Sequence, residues 1–288
     1  MAAKIIDGNT IAAHLLNKVK EEVALDVAQG YQPPTLAVIL VGEHPASEIY
    51  VARKQQACQT VEITVTLHRY PSTVTAEHLR EQIELLNADP KVHGILVQLP
   101  LPTKEGMSDL LRYIDPKKDV DGFHPHNLGK LLLNQPGLRP CTPVGVMMLL
   151  HAIAIDLSGK HAVVIGASPI VGKPMALELL HVGATVTICH SKTVNLAQHV
   201  QSADILVVAA GQPHLVPGAW IKPGATIIDV GIHRTANNAI IGDVNFEEAK
   251  EVAAWITPVP GGVGPMTVAM LMQNTLIASR AYQGKMPT

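Results

Sequence analysis

Aromatic residues are scarce in this chain, 3% of the whole, so any core it builds must be aliphatic. Aliphatic cores suit Val-, Ile- and Leu-rich parallel strands covered by helices. Cysteine is equally sparse. Cys58, Cys141 and Cys189 are odd in number, far apart and outside any CxxC pattern, which argues against a disulfide framework or structural zinc and for a reducing compartment. Neither charge sign dominates: 22 Lys+Arg against 24 Asp+Glu leave a net charge of -2, without the basic excess that a phosphate backbone attracts. Nucleic acid is therefore not an expected partner. No uncharged apolar run is long enough to span a membrane, and Asp7 interrupts the opening stretch where a secretory signal needs continuous apolar residues. A cytoplasmic location with no membrane partner is the expectation.

What is present is 288 residues, 47% of them hydrophobic, enough for two moderate cores. Short apolar runs ending in Gly or Pro alternate with helix-period segments, the pattern of βαβ units around a parallel sheet. In the first half, strands are expected at 36–41, 63–69 and 94–98, with helices at 11–28, 47–60 and 76–88. In the second half the expected strands are 162–165, 185–189, 205–209 and 226–230, with a short one at 255–257. A Pro- and Gly-rich stretch at 134–143 separates the halves, an apolar helix follows at 144–155, and a last helix at 267–281 returns to the first domain. The reading is α/β with two domains: a three-layer catalytic domain, 1–143 plus 268–288, and a Rossmann-like dinucleotide-binding domain, 144–267, with a cleft between them.

The segment from His161 to Pro174 runs from strand through a glycine turn to a helix, the context in which backbone cradles a pyrophosphate. Gly166 permits close approach, Ser168 caps the following helix, and Gly172 lets helix and strand pack closely. Free N–H groups at that helix start would hold the phosphates. The spacing GxSxxxG departs from GxGxxG, so a plain structural turn is the competing reading. At the end of the next strand, NAD sites usually carry an acid for the ribose 2′-hydroxyl. Here the place reads Cys189 to Thr193, in which Ser191 and Lys192 suit a 2′-phosphate, so NADP is the expected cofactor.

In the first half, Tyr50 and Lys54 stand four apart on one helix face, with Ser47 three before Tyr50. That face offers a ring for stacking and an amine for proton transfer, although a solvated amphipathic helix reads the same way. Gln98 is a polar amide in an apolar run and needs partners. The loop 115–122 lacks the further acids and terminal Glu of a calcium loop, and His124 and His126 lack a third ligand, so no metal is expected.

Six ordered motifs, Ser47 to Lys54, Gly94 to Pro102, Lys118 to Gly122, Pro140 to Pro143, Gly166 to Pro174 and Pro258 to Thr267, together resemble the bifunctional methylenetetrahydrofolate dehydrogenase/methenyltetrahydrofolate cyclohydrolase family. The resemblance implies NADP-dependent oxidation of 5,10-methylenetetrahydrofolate and hydrolysis of the methenyl product to 10-formyltetrahydrofolate. It implies Lys54 as catalytic acid or base, Gln98 orienting it, Tyr50 stacking on the folate and Asp121 binding the pterin. It further implies Ser47, Leu99, Gly262 and Val263 at the folate, Gly166, Ala167, Ser168, Ser191, Lys192 and Ile232 at NADP, and a homodimer. Many members carry Arg where this chain has Ala167, which shifts the 2′-phosphate site onto Ser191 and Lys192. The methenyl carbon is cationic and repels an ammonium, so hydrolysis calls for the neutral Lys54 amine. An NADP-dependent dehydrogenase of another small substrate with the same two-domain plan, such as a shikimate-like acid, is the alternative. It would not need Tyr50, Lys54, Gln98 and Asp121 together.

Overall fold

Residues 2–102 and 107–285 are described by the computed structural model; residues 1, 103–106 and 286–288 of the expected catalytic domain lie outside them. In chain order the elements are β1 (Lys4–Ile5), α1 (Gly8–Ala28), β2 (Thr35–Val41), α2 (Pro45–Thr60), β3 (Thr64–Tyr70), α3 (Ala76–Ala88) and β4 (Gly94–Val97). After a 3-10 segment, Met107–Tyr113, come α4 (Pro125–Leu132), α5 (Cys141–Ala152), β5 (His161–Ile165), α6 (Gly172–His181), β6 (Thr185–Cys189), α7 (Leu196–Ser202) and β7 (Ile205–Val208). A 3-10 turn, Gly218–Trp220, precedes β8 (Thr226–Asp229), β9 (His233–Arg234), β10 (Ile240–Ile241), α8 (Phe246–Ala249), β11 (Trp255–Ile256) and α9 (Val263–Tyr282). No helix among the described residues is long and apolar enough to cross a membrane.

The chain divides into two units, Met1–Ala12 with Thr142–Thr267, and Ala13–Cys141 with Val268–Thr288. In the second of these, β2 lies between β3 and β4, all parallel. Leu36 to Val41 are buried on both faces, so β2 shows a continuous apolar run rather than alternation. Ala37, Ile39 and Val41 share one core with Leu79 and Ile83 of α3 and with Leu110 and Ile114 of the segment after β4. α3 starts at Thr75, whose side chain accepts from the His78 N–H, and its last carbonyls, on Leu86 and Asn87, with that of Asp89 beyond, accept from the buried Lys118 ammonium.

The other unit holds a six-stranded parallel sheet in the order β1-β11-β8-β7-β5-β6. The chain moves outward from β5 to β6 and then crosses back to β7, so the order reverses beside β5. In such sheets ligands gather at the carboxyl ends next to that reversal. Two departures from the sequence reading stand out. Residues 1–12, expected with the catalytic domain, belong to the six-stranded unit because β1 pairs with β11; a two-residue strand leaves no periodicity to read. An antiparallel hairpin, β9 with β10, follows β8 where only parallel strands were expected.

Candidate active site

In the three-stranded unit the chemistry collects where α2 faces the end of β4. α2 opens with Pro45, whose missing N–H costs nothing in a first turn, and Glu48 in that turn grips Arg69 of β3 through two hydrogen bonds of 2.5 and 2.9 Å. Ser47, Val51, Lys54, Ala57 and Cys58 form its buried stripe. A buried amine requires an acceptor, and Lys54 Nζ donates to Gln98 Oε1 at 3.0 Å. Gln98 is itself fixed: its Nε2 donates to the Leu99 carbonyl at 2.6 Å and its backbone N–H to Ile39 of β2 at 2.9 Å. The polar interruption in an apolar strand thus has the partners it needed. Tyr50, one helical turn before Lys54, is half-buried, and burial raises its phenol above the ordinary range against the nearby Arg53 charge.

Asp121 rides on a strap beside β4. Asp119 bridges to Ile95, and its side chain accepts from the His124 N–H and from Asn127, both at 2.8 Å. Val120 packs over Gly94, where an added Cβ would stand 2.6 Å from its Cγ1. Gly122 has φ +74°, and a Cβ there would meet the Arg139 carbonyl carbon at 2.4 Å, so only glycine permits this crossing. Asn274 of α9 holds the strap, donating to the carbonyls of Val120 at 2.8 Å and Arg139 at 2.9 Å, while Cys141 Sγ donates to Val120. Burial raises the Asp121 carboxyl to about 6; the Lys54 charge lowers it and Asp119 raises it.

In the six-stranded unit, Gly166 ends β5 with φ +124°, and a Cβ there would lie 2.2 Å from the Ala209 carbonyl oxygen at the end of β7. Gly172 passes the Gly166 oxygen so closely that a Cβ would be 2.0 Å away. This cradle exists only for glycine and fits a pyrophosphate that must approach backbone. The helix start corrects one expectation. Ser168 Oγ accepts from the N–H groups of Val171 and Gly172 at 3.1 and 3.3 Å, and the Ser168 carbonyl accepts from Lys173. Those N–H groups are not free for phosphate; the turn holds itself. Ser191 and Lys192 are exposed in the turn after β6, which His190 and Thr193 close on themselves. Ile232 is exposed after β8, and Ala167 lies between Gly166 and Ser168.

The structure brings Lys54, Gln98 and Leu99 into direct contact and sets Asp121 within their electrostatic reach. Gly262 and Val263 belong instead to the six-stranded unit, where Gly262 abuts Gly8 at the start of α1. Two positions escaped sequence reasoning. Asn274 sits in an apolar helix and Asp243 in the run from Ile240 to Val244; a polar residue inside such a run was the available signal. Among the described residues no three His, Cys, Asp or Glu side chains converge as metal ligands would.

Residues 6–121 match the catalytic domain of the tetrahydrofolate dehydrogenase/cyclohydrolase family, and 140–283 match its NAD(P)-binding domain. A bifunctional methylenetetrahydrofolate dehydrogenase/cyclohydrolase from Campylobacter jejuni is 46% identical, superposes with a TM-score of 0.94 and is aligned over 97% of this chain and 99% of its own. The 5,10-methylenetetrahydrofolate dehydrogenase of the silkworm Bombyx mori is 43% identical over 98% of this chain and 100% of its own, with a TM-score of 0.92. A Trypanosoma brucei methylenetetrahydrofolate dehydrogenase-cyclohydrolase, solved with NADP cofactor and an inhibitor, is 39% identical over 98% of each chain, at a TM-score of 0.93. With both domains matched along nearly the whole sequence and the glycine cradle and the lysine-glutamine pair in place, the chain belongs to the tetrahydrofolate dehydrogenase/cyclohydrolase family.

Proposed function

We propose that the chain oxidises 5,10-methylenetetrahydrofolate with NADP and hydrolyses the resulting 5,10-methenyltetrahydrofolate to 10-formyltetrahydrofolate, serving one-carbon metabolism. The observation that carries this reading is the hydrogen bond of 3.0 Å between the buried Lys54 Nζ and Gln98 Oε1, within reach of the Asp121 charge. The six-stranded unit receives NADP.

NADP when bound supplies a hydride acceptor, leaving on the folate a methenyl cation shared between two nitrogens. Positioning is most of that step, and Tyr50, Ser47, Leu99, Gly262 and Val263 are assigned to it. For hydrolysis, Lys54 Nζ removes a proton from the water that adds to the methenyl carbon and donates one as the ring opens. Gln98 Oε1 accepts from Nζ and so fixes where the nitrogen lone pair points. The Asp121 carboxylate accepts from the amide-like donors of the pterin, as a half-buried acceptor at the end of a fixed strap does best. On the NADP side, Gly166, Ala167 and Ser168 line the pyrophosphate, Ile232 borders the cofactor, and Ser191 with Lys192 binds the 2′-phosphate. The lack of an acid at that strand end, and the NADP carried by the Trypanosoma brucei relative, support NADP over NAD. A homodimer and a cytoplasmic location complete the reading.

Purified protein mixed with methylenetetrahydrofolate and either NADP or NAD tests it, with reduced nicotinamide and methenyl absorbance followed separately. NADP reduction followed by decay of the methenyl signal is expected. No reduction with either cofactor overturns the dehydrogenase, reduction by NAD alone overturns the 2′-phosphate assignment, and a methenyl product no shorter-lived than in buffer overturns the hydrolase.

A further inference from the structure

The carboxyl edge of the six-stranded sheet holds an acid that the reaction above does not use. Asp243, just past β10, is fully buried at 0% exposure. Its Oδ2 accepts from the N–H groups of Ala210 at 2.7 Å and Gly211 at 2.9 Å, and its Oδ1 accepts from His233 Nε2 at 2.7 Å. Its own N–H, with those of Val244 and Gly231, donates to the buried Asp229 carboxylate at 3.0, 2.9 and 2.9 Å. Gly231 lies so close that an added Cβ would stand 2.3 Å from Asp243 Oδ1. The Asp243 side chain thus ties the loop leaving β7 to His233 of β9, while the Asp229 carboxylate holds Gly231 in the loop leaving β8 and the return of the β9-β10 hairpin.

A buried carboxylate is costly to desolvate, and here that cost is offset by three donors, the N–H groups of Ala210 and Gly211 and the His233 imidazole, which an apolar residue would leave without this acceptor. What the carboxylate adds is direction: its lone pairs fix where two consecutive N–H groups and one imidazole point. The segments it orients, 209–211 and 231–233, leave β7 and β8, β7 adjoining the Gly166 turn, and they include Ile232. We propose that Asp243 is a positioning residue for the dinucleotide, holding these two loops in the shape that receives NADP. The inference rests on reading this edge as the NADP site.

Asp243→Ala and Asp243→Asn test it, with the wild-type protein beside them. The alanine variant should raise the NADP KM, and the Kd of NADP measured by fluorescence, at least tenfold, while the folate KM moves less than twofold. Asparagine should recover most of the loss, because its amide oxygen still accepts from Ala210 and Gly211 while its NH2 faces His233. An NADP KM within twofold of wild type in the alanine variant overturns the inference. So does a rise in folate KM equal to that in NADP KM together with a lowered unfolding midpoint, which marks a merely structural residue. A wild type that binds and reduces no NADP overturns the cofactor reading itself.

Discussion

At the scale of single residues, burial decides which polar groups carry chemistry. Lys54 lies on a stripe with Val51, Ala57 and Cys58, and an amine placed there answers to one amide, Gln98. Methionine at this position keeps the length and the apolar stem but cannot move a proton. Lys54→Met should cut hydrolysis of preformed methenyltetrahydrofolate by about 10²-fold or more and keep the unfolding midpoint near wild type; persistent turnover would remove Lys54 from its role. Asp121 carries a pH dependence. Its carboxyl is raised from 3.8 to about 6 chiefly by burial, so at neutral pH the charge subtracts from stability, a cost relieved as pH falls from about 6 towards 3.8. The proposed pterin contact needs the opposite form, since only the carboxylate accepts from every donor. The kcat/KM for methylenetetrahydrofolate should therefore fall as pH drops through about 6, and Asp121→Asn should lower it and flatten the profile. A wild-type profile without a limb near that pH would refute the assignment. Lys54, Tyr50 and Gln98 were legible in the sequence because spacing put two on one helix face and the third broke an apolar run. Lys118, in the same motif as Asp121, proved to be a helix cap for α3; a motif does not say which of its members face substrate.

At the scale of elements, glycines mark where backbone meets backbone. Gly166 combines φ +124° with an oxygen 2.2 Å from where a Cβ would go, so alanine must displace the end of β7. Gly166→Ala should cost about 1–3 kcal/mol of stability, read as a lowered urea midpoint, and raise the NADP KM. Equal midpoints and equal KM would show that this turn yields freely. The long periodic elements were readable to within a few residues: α3 spans Ala76–Ala88 and β6 spans Thr185–Cys189, both as patterned. Of the short ones only β11 was expected. β1, β9 and β10 are two residues each, below any period, and α4, opening at Pro125, is not among the helices expected from the sequence.

At the scale of the whole molecule, sequence ends meet. Arg280 of α9 binds Asp26 and Glu22 of α1 at 2.6 Å each, and Lys285 also reaches Asp26. Burial pushes the Asp26 carboxyl up, but the hydrogen bonds from Arg280 and Lys285 outweigh it and hold the group below 3.8. A depressed acid stabilises fully above its unfolded value and loses that contribution as pH falls through the folded one. Arg280→Met should thus unfold at lower urea, by about 1–3 kcal/mol at neutral pH, and the gap to wild type should narrow below pH 3.8. A gap independent of pH would deny the ion pair its part. The sequence by itself determined the parallel α/β plan and the glycine turn, and it marked Lys54, Tyr50 and Gln98 as candidates for the proposed chemistry, because period, turn residues and side-chain type are local. Tertiary structure alone decided that β1 joins the sheet of β11, that Asn274 holds the strap of Asp121 and that Asp243 ties three segments together. Those contacts join positions far apart in the chain, and no local preference encodes which distant N–H or carbonyl a buried polar group will find.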